Sequence, residues 1–405
     1  MEIERCQIVK YRSEFKRRLI KLQSHLWGQD PTTRTAYLEW KYDRNPYAGD
    51  TYIYLAFYNK QLVGMVGAYG VKWQIGDLDQ TFPGLCFADL VIHPRHRHRN
   101  LLPKLMAAAL NDLSNTNYAY AFDLSAAPHV ALSLLMQGWR SMFIQTASRT
   151  TDHATHSGHL VENEQKSKFA AAYRQICSHL EKLPLLVSTY RCLRRNTYDP
   201  VLRRAAGTRP AFVKLDDNAD RYKINPRLTL SKTARPQAMA ELARRIGYDG
   251  RIRHVRDEQY FSWRFQNPLA EYRFLFWDQN HLDGYLVLCG KVYPPNNDEL
   301  VYIVDWDAIN GDIWFHLFQA AMQWGNFNYI SIWTAALSKD LKRLLRNAGF
   351  VFMDKTGSAT RDIRGENIFV KPINQKTQQP KWVMGGRDLL NPTSWDLRTI
   401  YSDNF

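Results

Sequence analysis

Phe87-Ala-Asp-Leu-Val-Ile-His-Pro-Arg-His-Arg-His-Arg-Asn-Leu-Leu-Pro-Lys-Leu105 is the stretch around which the rest of the chain can be placed. Residues 87–92 end in Leu90, Val91 and Ile92 and read as a β-strand, which His93-Pro94 stops because proline cannot donate to a ladder. The turn 93–100 carries Arg95, Arg97, Arg99 and three histidines, and Leu101 opens an amphipathic helix that runs to Leu113. Strand, basic turn and helix amino terminus in succession gather free backbone N–H groups, the positive end of a helix dipole and guanidinium groups in one place. That combination holds a pyrophosphate or a similar anion.

Upstream, residues 11–27 place Phe15, Leu19, Ile20, Leu22 and Leu26 near helical spacing, and a second helical patch over 35–44 is stopped by Asn45-Pro46. Residues 51–58 and 62–73 are rich in Tyr, Val and Ile, and Asn59-Lys60-Gln61 between them predicts an antiparallel hairpin. Downstream come a strand over 118–123 and a helix over 128–137 closed by Gly138. The order β, α, α, β, β, β, α, β, α, β predicts a mixed α/β (α+β) sheet.

The order then returns. Strand 227–231, helices 236–246 and 257–265, hairpin 272–277 with 281–292, strand 300–306, helix 314–324, strand 329–333 and helix 339–347 repeat the first pattern. Residues repeat as well: Tyr37, Trp40, Lys41 and Asn45-Pro46 answer Tyr260, Trp263, Arg264 and Asn267-Pro268. Gln61 to Gly64 answers His281 to Gly284, and Gly138-Trp139 answers Gly349-Phe350. The reading is a tandem of two related domains, 1–150 and 211–375, separated by a basic helical linker over 151–210 and followed by a tail over 376–405.

With 405 residues, 45% hydrophobic, 23% charged and 13% aromatic, the chain is long enough for two or three cores and has the balance of a globular protein. Its net charge of +15 favours phosphate-rich partners. Five scattered cysteines with no C-x-x-C pair argue against a disulfide framework or a zinc site, and no metal is expected. A charged amino terminus and the absence of an 18-residue apolar window predict no membrane span and a cytoplasmic location.

The stretch 92–102 resembles the signature of the GNAT superfamily of acyl-coenzyme A dependent N-acyltransferases, V-x-P-x-x-R-x-x-G-x-G/A. Arg97 falls on the family arginine, and Asn100 and Leu102 stand at the glycine positions. Ala127-Pro128-His129, Ser133 and Gln137-Gly138-Trp139 resemble the second family motif, with His129 at its asparagine and Leu134 where many members carry a general-acid tyrosine. The tail from Trp395 to Phe405 resembles that of bacterial members of similar length. The resemblance implies two GNAT-like domains, each a mostly antiparallel sheet with a splayed parallel strand pair. The second, whose stretch 305–313 holds no arginine and no phosphate-cradling spacing, is expected to be degenerate, with a structural or acceptor-shaping role.

It further implies acetyl-CoA or another acyl-CoA as co-substrate, bound by Leu90, Val91, Ile92, Arg97, Arg99, Asn100, Leu101, Leu102 and Ser133. The acceptor is a small primary amine such as an amino sugar or natural-product intermediate. Asp89 is the expected general base and His129 a second catalytic candidate. Each has a plainer alternative: Asp89 could pair with a cation, His129 could simply open a helix, His93, His96 and His98 could be a solvated turn, and Trp40 and Trp263 could be core. The basic balance also keeps open a non-catalytic nucleic-acid-binding or acyl-CoA-binding protein.

Overall fold

A computed structural model describes residues 6–28, 30–76, 80–150, 221–223, 226–293, 298–324, 329–352, 366–373 and 382–403. The linker expected over 151–210 lies outside the described residues. In the first half the order is β1 (Cys6–Lys10), α1 (Lys16–Gln23), α2 (Pro31–Leu38), β2 (Tyr52–Tyr58), β3 (Gln61–Gln74) and β4 (Thr81–Ile92). Next come α3 (Leu101–Leu113), β5 (Tyr120–Asp123), α4 (Pro128–Met136), β6 (Arg140–Ile144) and β7 (Thr146–Thr150). Local chemistry sets several of these limits. Asp30 accepts the N–H groups of Thr32 and Thr33 ahead of Pro31, which starts α2. Asn59 and Lys60 both have positive φ, 45° and 64°, giving the twist-matched turn between β2 and β3.

The second half runs β8 (Arg221–Lys223), β9 (Leu228–Ser231), α5 (Pro236–Ile246), β10 (Arg253–His254), α6 (Glu258–Arg264), β11 (Glu271–Asp278), β12 (Leu282–Tyr293) and β13 (Asp298–Ala308). It continues with α7 (Gly311–Trp324), β14 (Tyr329–Trp333), α8 (Lys339–Asn347), β15 (Val351–Phe352) and β16 (Glu366–Pro372), and the small pair β17 (Val383–Met384) and β18 (Arg387–Asp388) comes last. The helix ends repeat across the halves in atomic detail. Gly138 and Gly349 have φ of 80° and 83°, and Trp139 and Phe350 donate back to the carbonyls of Leu134 and Leu345 at 3.1 and 3.0 Å.

Two eight-stranded sheets result: the first takes β10, paired with β3, and β16 from the second half of the chain, and the second takes β7 from the first half. In the first, β1 to β4 are antiparallel neighbours, β4 pairs with β5 in parallel, and β16 then lies between β5 and β6. In the second, β9, β11, β12 and β13 are antiparallel neighbours, β13 pairs with β14 in parallel, and β7 lies between β14 and β15. A cut after residue 150 therefore leaves two strands of the first sheet, β10 and β16, and one of the second, β7, on the wrong side.

The halves meet through a shared core that includes Trp40, Trp73, Phe122, Tyr260, Trp263, Phe274, Tyr285, Trp395 and Tyr401. Near its middle the Trp40 and Trp263 rings stack with centroids 5.3 Å apart. Trp40 Nε1 donates to the Trp263 carbonyl at 2.8 Å, and Trp263 Nε1 donates to the Trp40 carbonyl at 2.9 Å. Both tryptophans are core. Exchanged strands and one core should make the described halves unfold together, so calorimetry and denaturant titration are expected to give a single transition. Trp40→Ala opens a cavity and strands a buried carbonyl, and should lower the unfolding free energy by about 3–5 kcal/mol; two resolved transitions in the native protein would contradict the shared core.

Candidate active site

The parallel ladder between β4 and β5 has two rungs, Leu85 with Ala121 and Cys86 with Phe122, and stops there. Past that point β4 is distorted on its other edge: the register against β3 shifts between Met65 and Gly67, which sets Asp89 and Leu90 opposite Val66. Asp89 takes φ of 53°, a left-handed conformation uncommon for a residue with a side chain and typical of a bulge beside a functional site. Gly67 faces the distortion because the Tyr42 hydroxyl occupies the space its Cβ would need.

Beneath the bulge lies a buried charge cluster. The helix α2 ends in a π turn, Glu39–Asp43, a local widening that turns Lys41 inward. Lys41 Nζ contacts Asp403 Oδ2 at 2.8 Å and Asp89 Oδ1 at 3.2 Å, and donates to the Tyr37 hydroxyl at 2.9 Å. Tyr42 donates to Asp89 Oδ2 at 2.7 Å, and the Asp89 side chain is 0% exposed. Burial pushes the Asp89 carboxyl up despite Lys41, whereas Asp403, also buried, is held below the usual range by Lys41 and by the Ser125 hydroxyl at 2.7 Å. Both oxygens of Asp89, the expected base, are thus occupied.

The strand-turn-helix stretch places the other expected residues. Pro94–Arg99 is a 3-10 turn, and Asn100, with φ of 55° and ψ of 39°, makes the left-handed corner into α3 that a glycine would make. Leu101 and Leu102 turn into the core, so Leu102 does not stand over the helix end. Arg97 Nε donates to the Ile92 carbonyl at 3.1 Å, and the Arg99 guanidinium lies 3.8 Å from the centre of the Tyr58 ring. Leu90 and Ile92 are partly buried and Val91 is buried. Ser133 is buried and accepts from Gln137 Nε2 within α4, away from the turn. His129 lies in the first turn of α4, but its side chain is outside the described residues.

The corresponding region of the second half is closed. Only Ile309 and Asn310 separate β13 from α7, and the Asn310 side chain accepts the Ile313 N–H, capping the helix end. Asp305 and Asp307 are each bridged by Arg256 and Arg398, with four contacts at 3.0 Å. Such a cluster is costly to break but leaves no acid free for chemistry.

Sequence reasoning missed Asp123 and Lys41. Asp123 is the first residue of β5 past the last rung with β4, and it is buried. Its Oδ1 accepts the Ser125 N–H at 3.0 Å. Burial raises its carboxyl to about 7, against the opposing pull of that N–H and of Lys41. For Lys41, the available signal was a lysine between Trp40 and Tyr42 on a helix with an aromatic face.

Residues 7–133 match the family model of the acetyltransferase (GNAT) domain, a span that contains the bulge, the basic turn and the splayed strands. A search of curated protein sequences gives no match. Among solved structures, a probable N-acyltransferase from Enterococcus faecalis is similar over 94% of this chain and 75% of its own, at 11% identity and a TM-score of 0.54. A GCN5-related N-acetyltransferase from Anabaena variabilis is similar over 91% of this chain and 73% of its own, at 11% identity and a TM-score of 0.50. These likenesses concern the fold. The match makes residues 7–133 an acetyltransferase (GNAT) domain, and the likenesses to solved structures agree with that fold. Domains of this family in general use acyl-CoA as co-substrate. No helix among the described residues is long and apolar enough to cross a membrane.

The buried carboxyl of Asp123 has a stability signature. Its pKa is raised on folding, so the native state holds the proton more tightly than the unfolded chain. Stability therefore falls as pH rises from about 4 towards 7 and levels off above. Asp123→Asn removes that penalty while keeping a side-chain acceptor for Ser125, and its melting temperature relative to the native protein should climb over the same window. A difference independent of pH would exclude a buried, neutral-range carboxyl.

Proposed function

We propose that the protein moves an acetyl group from acetyl-CoA to a primary amine of a small molecule, such as an amino sugar or natural-product intermediate, at one site in its first half. The observation that carries this reading is the meeting, at one end of β4, of an unpaired strand edge, a bulge and a helix amino terminus behind a basic turn. In this reading the pantetheine arm pairs with 87–92, and the bulge leaves a backbone N–H for the developing oxyanion. The N–H groups at Asn100, Leu101 and Leu102 receive the pyrophosphate, with Arg97 and Arg99 supplying charge.

The electrostatics of the site favour a cationic acceptor. Asp89 and Asp403 flank the Lys41 ammonium, and the buried Asp123 nearby adds a carboxyl that can face an alkylammonium. Asp89, clamped by Lys41 and Tyr42, then serves to fix this charge cluster. The α2 face of the first sheet is covered by α6 and by the tail through Tyr401 and Asp403, and an enclosed face suits a small acceptor better than a protein chain. Residues 211–375 are proposed as a second copy of the fold whose capped α7 and locked aspartates leave it to wall the site, with 376–405 as the tail that enters it.

Isothermal titration with acetyl-CoA should give one site per chain, and two equal sites or none would overturn the assignment. Arg97→Ala removes a charge-assisted contact and should weaken acetyl-CoA binding roughly ten- to a hundredfold. Thiol release measured across a panel of small amines identifies the acceptor.

A further inference from the structure

Resting on the acyltransfer reading above, we propose that Asp123 is the catalytic residue that takes the proton from the acceptor amine. Three features of its place lead there. It is the first residue of β5 beyond the last rung with β4, so it stands at the opening where the two strands part, with β16 on its other edge through Phe369. Unlike Asp89 and Asp403, it has no cation within ion-pairing distance among the described residues. Its partners are neutral backbone donors, the N–H groups of Ser125 and Ala126, which still leave lone pairs uncommitted. It is buried, and a base enclosed in the protein is not satisfied by bulk water.

The surrounding elements present few competing charges. From the tail, Asp403 lies close enough to push the Asp123 carboxyl up and has its own Oδ1 tied to the Ser125 hydroxyl. From the π turn, Lys41 pulls it down but is bonded to Asp89 and Asp403. On β4 the Cys86 thiol is pushed up by burial and carries no charge near neutrality. On β16 the Lys371 ammonium donates to the Gln137 carbonyl. The resulting neutral-range carboxyl matches the acceptor strength an alkylammonium needs near pH 7.

In this step an Asp123 carboxylate oxygen removes one proton from the ammonium. The freed nitrogen lone pair attacks the thioester carbonyl, and the C–N bond forms. Loss of the second nitrogen proton accompanies cleavage of the C–S bond, and that proton goes to the departing thiolate to give the thiol. The proton on Asp123 returns to solvent. Ammonium and acyl-CoA become amide, thiol and one released proton, with no further reactant.

Asp123→Asn keeps an oxygen that can accept the Ser125 N–H, so a purely structural role would survive it. With acetyl-CoA and glucosamine, or n-butylamine if glucosamine is not acetylated, the native protein should show a kcat/KM that rises through an apparent pKa near 7. The variant should be slower by at least about a hundredfold and lose that limb, with its acetyl-CoA dissociation constant unchanged. Asp123→Glu retains a carboxylate and should keep a limb, shifted and lower, which guards against misfolding of the amide variant. A folded Asp123→Asn protein with the native rate and pH profile overturns the assignment while leaving the acyltransferase reading intact. Absence of acetyl-CoA binding by the native protein, or of thiol release with both amines, overturns that parent reading and the assignment with it.

Discussion

Two indole N–H groups that each end on the other residue's backbone carbonyl hold this molecule together. An indole nitrogen buried without an acceptor is costly, and stacking Trp40 on Trp263 satisfies both at once while removing two of the largest side chains from water. The exchange is reciprocal, each indole donating to the other residue's backbone carbonyl. It also fixes the position of the residue after each tryptophan. These residues are Lys41 and Arg264, and both reach the same final segment: Lys41 to the Asp403 carboxylate, Arg264 to the carbonyls of Ile400 and Ser402 at 2.8 and 2.6 Å. One cation from each half thus grips the tail where it enters the site.

The two halves share several local features. Both parallel pairs, both helix-closing glycines and both Asx turns are present, since Asn45 accepts the Tyr47 N–H and Asn267 the Leu269 N–H. What differs is confined to the strand-to-helix turn and the ion pairs below it. A long basic turn with a left-handed Asn100 leaves the α3 end open, whereas a short turn with Asn310 closes α7.

Much of this was legible in the sequence where local signals are strong. Helices 101–113, 236–246 and 339–347 and strand 329–333 have the limits their patterns imply, set by prolines, caps and closing glycines. The basic turn and the repeat anchors were equally visible. The exchanged strands were not, because Thr146–Thr150 is polar and short and its partners lie at Tyr329–Trp333 and beyond, so no local period announces it. Asp123 reads only as the last residue of the strand over 118–123, and nothing nearby in sequence reveals that Asp403 approaches it. Asp89 was recognised as a residue of interest, but its partner Lys41 depends on a π turn that hydrophobic spacing does not encode.

Strand exchange also bears on how the protein is made. A chain emerging from the ribosome amino terminus first can form β1 to β6 early, but β5 and β6 remain apart at the place where Glu366–Pro372 must enter. Until then their facing edges are unpaired, and Lys41 lacks its Asp403 partner. The cluster around Lys41 is therefore completed by a residue 362 positions further along the chain, and until that segment arrives the nascent chain presents open sheet edges that a holding chaperone would cover.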